Sequence, residues 1–426
     1  MRGLKDKRFL AAVAGLVLVL GLAACGGDDD DDGGGGEASL NLTIGDSIPL
    51  TGDLADFGPV GEKASNLALD QINQAIQTAG VDHTVKVLHE DNETNPQAAV
   101  QVARKLVDSD GATCITGAWA SADTIPTAQS VTIPEGILQI SPASTSDEIT
   151  GLDDNGLVNR TAPPDRFQGP TLAKVISEDL GGAEGKTVNV GARNDAYGTG
   201  LADTFSSGWE ELGGTIGQKV IYDPEQPSYN SEAQQITSGN PDSFVIVDFP
   251  DPFVTVGPAL QRTGNWDPSK AWGTDGLADQ EVVEGVPANV IEGMRGTAPG
   301  SPDAGSGVKA FDKLWGAERE TFDSQQFDAT ILCYLAAVAA GSTDGQEMAD
   351  VLQDVTAPPG TKYTWEQLPQ AISALQNGDD IDYEGASGGV DMTADGDATS
   401  KVYDLYEFKG GDINVYGETE IVIPAE

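Results

Sequence analysis

The sequence predicts an α/β protein built as two doubly wound lobes, each a parallel sheet flanked by helices. Three observations predict it. Strand and helix patterns alternate from residue 40 onward. A second, similar series restarts near Pro163. The roughly 390 residues involved exceed what one hydrophobic core usually organises.

Taken in order, Leu40 to Ile48 (LNLTIGDSI) is a short β-rich run, and 49–61 is a loop punctuated by Gly and Pro. Residues 61–79 carry Ala64, Leu67, Ala68, Ile72, Ala75 and Ile76 at helical spacing. Strand VKVLHED follows, then helix PQAAVQVARKLVDS with Pro in its first turn, strand ATCITG, helix ADTIPTAQSVTI and strand ILQIS. This order implies a parallel sheet with helices on both faces. The second series runs through helix QGPTLAKVISEDL, strand TVNVGARN, helix GTGLADTFSSGWEEL, strand TIGQKVIY, helix SEAQQITSG, strand SFVIVDF, helix VTVGPALQRTG and strand AWGTD. Helices GVKAFDKLWGAE, FDATILCYLAAVAAG and WEQLPQAISAL come next, and the chain ends in an antiparallel-looking tail, SKVYDLYEFKGGDINVYGETEIVI. Helices returning this late imply that the chain passes between lobes more than once.

The first residues carry an address. Arg2, Lys5, Lys7 and Arg8 precede an apolar run from Phe9 to Ala24, shorter than the roughly 18 residues of a stable membrane span, so residues 1–24 are expected to be a cleaved signal peptide. Leu22-Ala23-Ala24-Cys25-Gly26 resembles a lipobox, which makes Cys25 the expected lipid anchor on the extracytoplasmic face of the cell membrane. More than one acyl chain is needed for lasting attachment. Residues 25–38, with Asp28 to Asp32 between glycines, cannot bury apolar surface and are expected to be a disordered tether.

A net charge of −45 repels nucleic acid, and no basic patch offsets it. Besides Cys25, the cysteines are Cys114, on an expected strand, and Cys333, on an expected helix of the same lobe. In an oxidising compartment they pair or stay as two buried thiols, and the residues leave both readings open.

Six segments, IGDSIPLTGDLADFG, HEDNETNPQAAVQVARKLV, ITGAWASADTIP, GILQISPASTSDEIT, NDAYGTGLADTF and WGTDG, occur in this order between about Leu40 and Tyr416. In that order and spacing the chain resembles the type I periplasmic binding proteins, in particular the leucine/isoleucine/valine-binding branch of ABC-transporter receptors. The resemblance implies two lobes joined by three crossovers and closing on a ligand at the carboxyl ends of the strands. It divides the chain into a first lobe of 39–162 and 296–392 and a second of 163–295 and 393–426.

Each polar group of a free amino acid needs a partner. Gly117 to Thr124 and Pro142 to Asp147 each take the chain from a strand into a helix, leaving hydroxyl and N–H groups to face an anion. Ser121 is expected to cap its helix. The resemblance puts Ser121 and Thr145 on the ligand carboxylate, with Ala120, Ala143 and Ser144 at its edge. It puts Asp275 on the ammonium, where the branched-chain receptors carry Glu, and Tyr197 over the ligand. Phe57, Trp119 and Phe327 are the expected wall, with Phe249 from the second lobe. Trp119 is bulkier than the aliphatic residue expected there and Phe57 stands for a tyrosine, so leucine is not singled out. Each of these residues also has a plainer reading, as a cap, a turn or core.

Three motifs invite other chemistry. Gly45-Asp46-Ser47 suggests a serine esterase, but His83 and His89 lie early in the chain rather than late. Gly185-Lys186-Thr187 lacks the earlier glycine of a phosphate loop and leads from helix into strand. Asp391 to Asp397 lacks calcium-loop spacing and reads as a turn. With no nucleophile–base pair, no metal cluster and no cofactor motif, an enzyme is not expected. The expectation is a monomeric receptor that captures an amino acid, branched-chain-like, and passes it to an ABC permease with its ATPase subunits. An amide, urea-like or aromatic acid ligand is the alternative on the same fold, as is a sensory receptor subunit.

Overall fold

The computed structural model describes residues 39–302, 305–399 and 402–422. The expected signal peptide 1–24, the anchor Cys25 and the tether 25–38 lie outside the described residues.

The first series forms β1 (Leu40–Ile48), α1 (Gly58–Ala79), β2 (His83–Asp91), α2 (Pro96–Arg104), β3 (Cys114–Thr116), α3 (Ser121–Thr127), α4 (Ile133–Glu135), β4 (Leu138–Ser141), α5 (Asp147–Thr150) and β5 (Val158–Arg160). Its strands make a parallel sheet in the order β2-β1-β3-β4-β5. Apart from Asn41, β1 is buried along its whole length, as a central strand covered on both faces should be. Asn95 starts α2 by accepting from the N–H groups of Gln97 and Ala98. α1 stops at Gly80, which takes the left-handed conformation that a helix end favours.

The second series forms α6 (Asp165–Asp179), β6 (Thr187–Arg193), α7 (Ala196–Glu211), β7 (Thr215–Tyr222), α8 (Asn230–Ile236), β8 (Ser243–Val247), α9 (Pro250–Arg262), β9 (Ala271–Gly273), α10 (Gln280–Gly285), α11 (Ala288–Ile291) and β10 (Arg295–Pro299). The chain then returns to the first lobe as α12 (Ser306–Trp315), α13 (Asp323–Ala340), α14 (Gly345–Thr356), β11 (Thr361–Thr364), α15 (Leu368–Gln376) and β12 (Ile381–Glu384). The last strands, β13 (Val402–Lys409) and β14 (Asp412–Glu420), complete the second sheet, ordered β14-β13-β10-β9-β8-β6-β7. The tail is antiparallel, as its sequence pattern suggested. The fold is therefore the expected α/β pair of lobes, with crossovers after β5, after β10 and before β13.

The lobe boundaries differ from the expected ones. Residues 296–299 belong to the second lobe, because β10 pairs with β9 and β13. At the third crossover, Met392 and Ala398 remain buried in the first lobe's core, so the chain leaves that lobe after 398 rather than at 393. Helix α14 and strand β10 were not anticipated.

The apolar stripe of α1 packs with α13, α14, α15 and β1 into the first core. Cys114 on β3 and Cys333 on α13 are joined by a disulfide, with Cα atoms 6.0 Å apart. Beneath the same sheet, buried Asp46 accepts from Ser65 and Thr116, each at 2.8 Å, and from Gln326 at 3.1 Å. Its Oδ2 also lies 2.7 Å from His89 Nδ1. Burial works to lower the His89 pKa, but the Asp46 hydrogen bond and charge leave it raised. Ser47 accepts instead from Asn92, so Asp46 and His89 form a structural pair. At the crossovers, buried Arg160 lies 2.6 Å from Asp397 and also donates to the Ser146 carbonyl at 2.8 Å, while Arg166 contacts the same carboxylate. The turn 393–397 thus ties the first crossover to the third.

Candidate functional site

Between the lobes lies a cleft at the carboxyl ends of the strands. It holds about 300 Å³ free of protein atoms, part of it open to solvent.

The first lobe contributes Leu54, Phe57, Trp119, Ala120, Ser121, Ala143 and Phe322. Phe57, Trp119 and Phe322 form a mutually packed cluster with ring centroids 6.1–6.3 Å apart. Trp119 can approach α1 closely because Gly61 has no side chain; a Cβ there would stand 2.6 Å from Trp119 Cζ2. Ser121 is the first residue of α3 rather than its cap, a position Ala120 occupies without a side-chain hydrogen bond. The Ser121 hydroxyl oxygen accepts from the Ser146 N–H at 3.2 Å, which leaves its proton to donate. Ser146, not Thr145, caps α5.

The second lobe contributes Tyr197, Phe249, Asp275 and Gly276. Tyr197 stacks on Phe249 at 5.2 Å and 14°, and its hydroxyl donates to Asp275 Oδ1 at 3.0 Å. Gly276 donates its N–H to the same hydroxyl at 3.1 Å; a Cβ at Gly276 would stand 3.0 Å from that oxygen. Burial pushes the Asp275 carboxyl up to about 6, against hydrogen bonds that hold it down.

Of the residues expected at the site, Phe57, Trp119, Ala120, Ser121, Ala143, Tyr197, Phe249 and Asp275 line the cleft. Ser144 lies behind it, with its hydroxyl on Thr124 and the Trp119 carbonyl. Thr145 is fully buried; its hydroxyl makes no hydrogen bond of good geometry, although it helps hold the neighbouring Asp165 carboxyl down. Phe327 is not in the wall. It packs in the first core against Phe311 and Trp365 at 4.9 and 5.4 Å, and Phe322 takes the place expected of it. Leu54 and Gly276 were not anticipated either; a lone apolar residue in a polar loop carries no periodic signal. Among the described residues no helix is long and apolar enough to cross a membrane.

Two α/β lobes closed on an apolar cleft, with polar groups supplied from both sides, define a solute-binding protein. The chain belongs to the periplasmic binding proteins, whose family model matches residues 41–412, and within them it is of the type I, leucine/isoleucine/valine-binding-like kind. It is 25% identical over 309 residues, 72% of this chain and 80% of the relative, to the leucine-, isoleucine-, valine-, threonine- and alanine-binding protein of Pseudomonas aeruginosa. Among solved structures it resembles a leucine-binding protein of Thermotoga maritima (TM-score 0.74, 21% identity, 89% of this chain and 99% of that one). A branched-chain amino acid transporter substrate-binding protein of Streptococcus pneumoniae in complex with isoleucine is similar (TM-score 0.72, 21% identity, 90% and 100%).

Proposed function

We propose that the chain is the extracytoplasmic solute-binding lipoprotein of an ABC importer, held to the membrane through Cys25, and that it captures an amino acid and delivers it to the permease. One observation carries the ligand reading. Opposite walls of an apolar cleft present complementary partners: the Asp275 carboxylate from the second lobe, and the Ser121 hydroxyl at the start of α3 from the first. That arrangement suits a zwitterion, with the ammonium at Asp275 and the carboxylate at Ser121, in front of the buried Thr145 hydroxyl. The side chain would lie against the aromatic cluster. Binding favours the closed form because only there do both lobes touch the ligand.

Calorimetry with L-leucine and the other amino acids tests the assignment. Asp275→Asn is expected to weaken binding by about 2–5 kcal/mol, since it leaves a buried ammonium without its charge partner. Ser121→Ala combined with Thr145→Ala should weaken it by several kcal/mol through the lost charge-assisted bonds. Undiminished affinity in either variant would sink the corresponding assignment.

A second reading follows from the five aromatic rings at the cleft, Phe57, Trp119, Tyr197, Phe249 and Phe322. They suit an aromatic acid as well as an alkyl side chain. A ligand without an α-ammonium would be indifferent to Asp275→Asn, and that comparison separates the two.

A further inference from the structure

Beside the cleft, one arginine stands among four carboxyl groups, two from each lobe. Arg193, at the end of β6, is 5% exposed. Its Nη2 lies 2.9 Å from Asp53 in the first-lobe loop before α1. Its Nε is on Asp195, and its Nη1 is 3.8 Å from Asp248. The fourth group, Asp123 on α3, is 1% exposed, and neither of its carboxyl oxygens has a hydrogen-bond partner. The arginine also touches the ligand wall. Its guanidinium carbon lies 3.7 Å from the Phe249 ring centre, and Phe249 stacks on Tyr197, which reaches Asp275.

We propose that Asp53 and Arg193 form an inter-lobe latch that holds the cleft closed and positions the Phe249–Tyr197 wall, and that Asp123 enters the closed interface as the neutral acid. Closure strips water from Asp123 and offers no donor in return, which disfavours its charged form. The charges acting on it come from both lobes. Asp195 and Asp53 disfavour its ionisation and Arg193 favours it; with burial as the largest influence, its pKa is pushed up to about 8. Of the other elements packed against α3, α5 carries Asp147 and Glu148, α7 carries Asp203, Glu210 and Glu211, and α2 carries Arg104, which donates to the Ser130 carbonyl. In an open cleft Asp123 regains water and ionises as an ordinary carboxylate. Closing therefore takes up a proton, and acid favours the closed form across the neutral range.

The latch rests on the two-lobed binding reading but needs no ligand, so a failure to bind amino acids would leave its test intact. Small-angle X-ray scattering of the ligand-free protein, from about pH 6 to about pH 9, measures closure as a fall in radius of gyration. The parent chain should contract on acidification. Asp123→Asn, which mimics the neutral acid, should hold the contracted value throughout. Asp53→Asn should be more extended than the parent at every pH, with Asp53→Glu restoring part of the contraction. Thermal unfolding checks that each variant is folded. A parent radius that ignores pH, an Asp123→Asn variant that follows pH as the parent does, or an Asp53→Asn variant with the parent's radius would overturn the proposal.

Discussion

Burial and charge compete at Asp275, and the balance sets how binding should depend on pH. With its carboxyl pushed up to about 6 by burial, the empty closed cleft takes up a proton below that pH, which an amino acid bound as proposed would have to displace with its ammonium. The Asp275 contribution to amino-acid affinity is expected to be level above about pH 6 and to fall about tenfold per pH unit below. Titration calorimetry from about pH 5 to about pH 8 checks this; Asp275→Asn should show weak binding without that slope. Residues such as Ser121, Tyr197 and Asp275 were legible in the sequence because they follow strand ends, where this topology places a cleft. Phe322 was not. The apolar pattern of α13 becomes visible at Phe327, but the helix begins at Asp323, so the residue at its mouth is Phe322 and Phe327 lies a turn inside. Phe322 holds a left-handed backbone, φ 67°, uncommon for a bulky side chain, and composition alone does not announce it.

Among the elements, the link between β3 and α13 gives a stability prediction. The disulfide closes a chain separation of 219 residues, and losing such a constraint on the unfolded chain costs about 2–4 kcal/mol. Cys333→Ala should lose about that much in urea unfolding, and alkylation of the unfolded, unreduced protein should leave Cys114 and Cys333 unmodified. Modification of both would remove the bond from the account. Sequence reasoning put these cysteines in one lobe but could not bring their Cα atoms within bonding range. Other misses differ in kind. Strand β10 reads Arg-Gly-Thr-Ala-Pro, and a short run holding Gly and Pro lacks the β-branched signal of a strand. Helix α14 was legible and overlooked: Asp344 caps it, and Met348, Leu352 and Val355 line its buried face at helical spacing.

For the molecule as a whole, the alternation of patterns gave the two-lobed architecture, whereas the places where the chain changes lobe depend on contacts far apart in sequence. Asp397 shows this. Its segment reads as a polar turn, yet the carboxylate is 1% exposed and joins Arg160 and Arg166 from the first crossover. Removing it strands a fully buried guanidinium, so Asp397→Ala should cost about 3–5 kcal/mol in urea unfolding. A loss below about 1 kcal/mol, the level of an exposed pair, would show that the crossovers are not joined through it.

The close fit of Trp119 on Gly61 makes ligand size a property of two positions. With no side chain at 61, the indole lies back on α1 and the compartment keeps the room in front of it. Shrinking residue 119 alone would hand the vacated volume to the ligand. Shrinking it together with Gly61→Ala would return part of that volume to the helix. A redesign of what this receptor accepts therefore has a coarse control at 119 and a fine one on the hidden face of α1, where no ligand reaches.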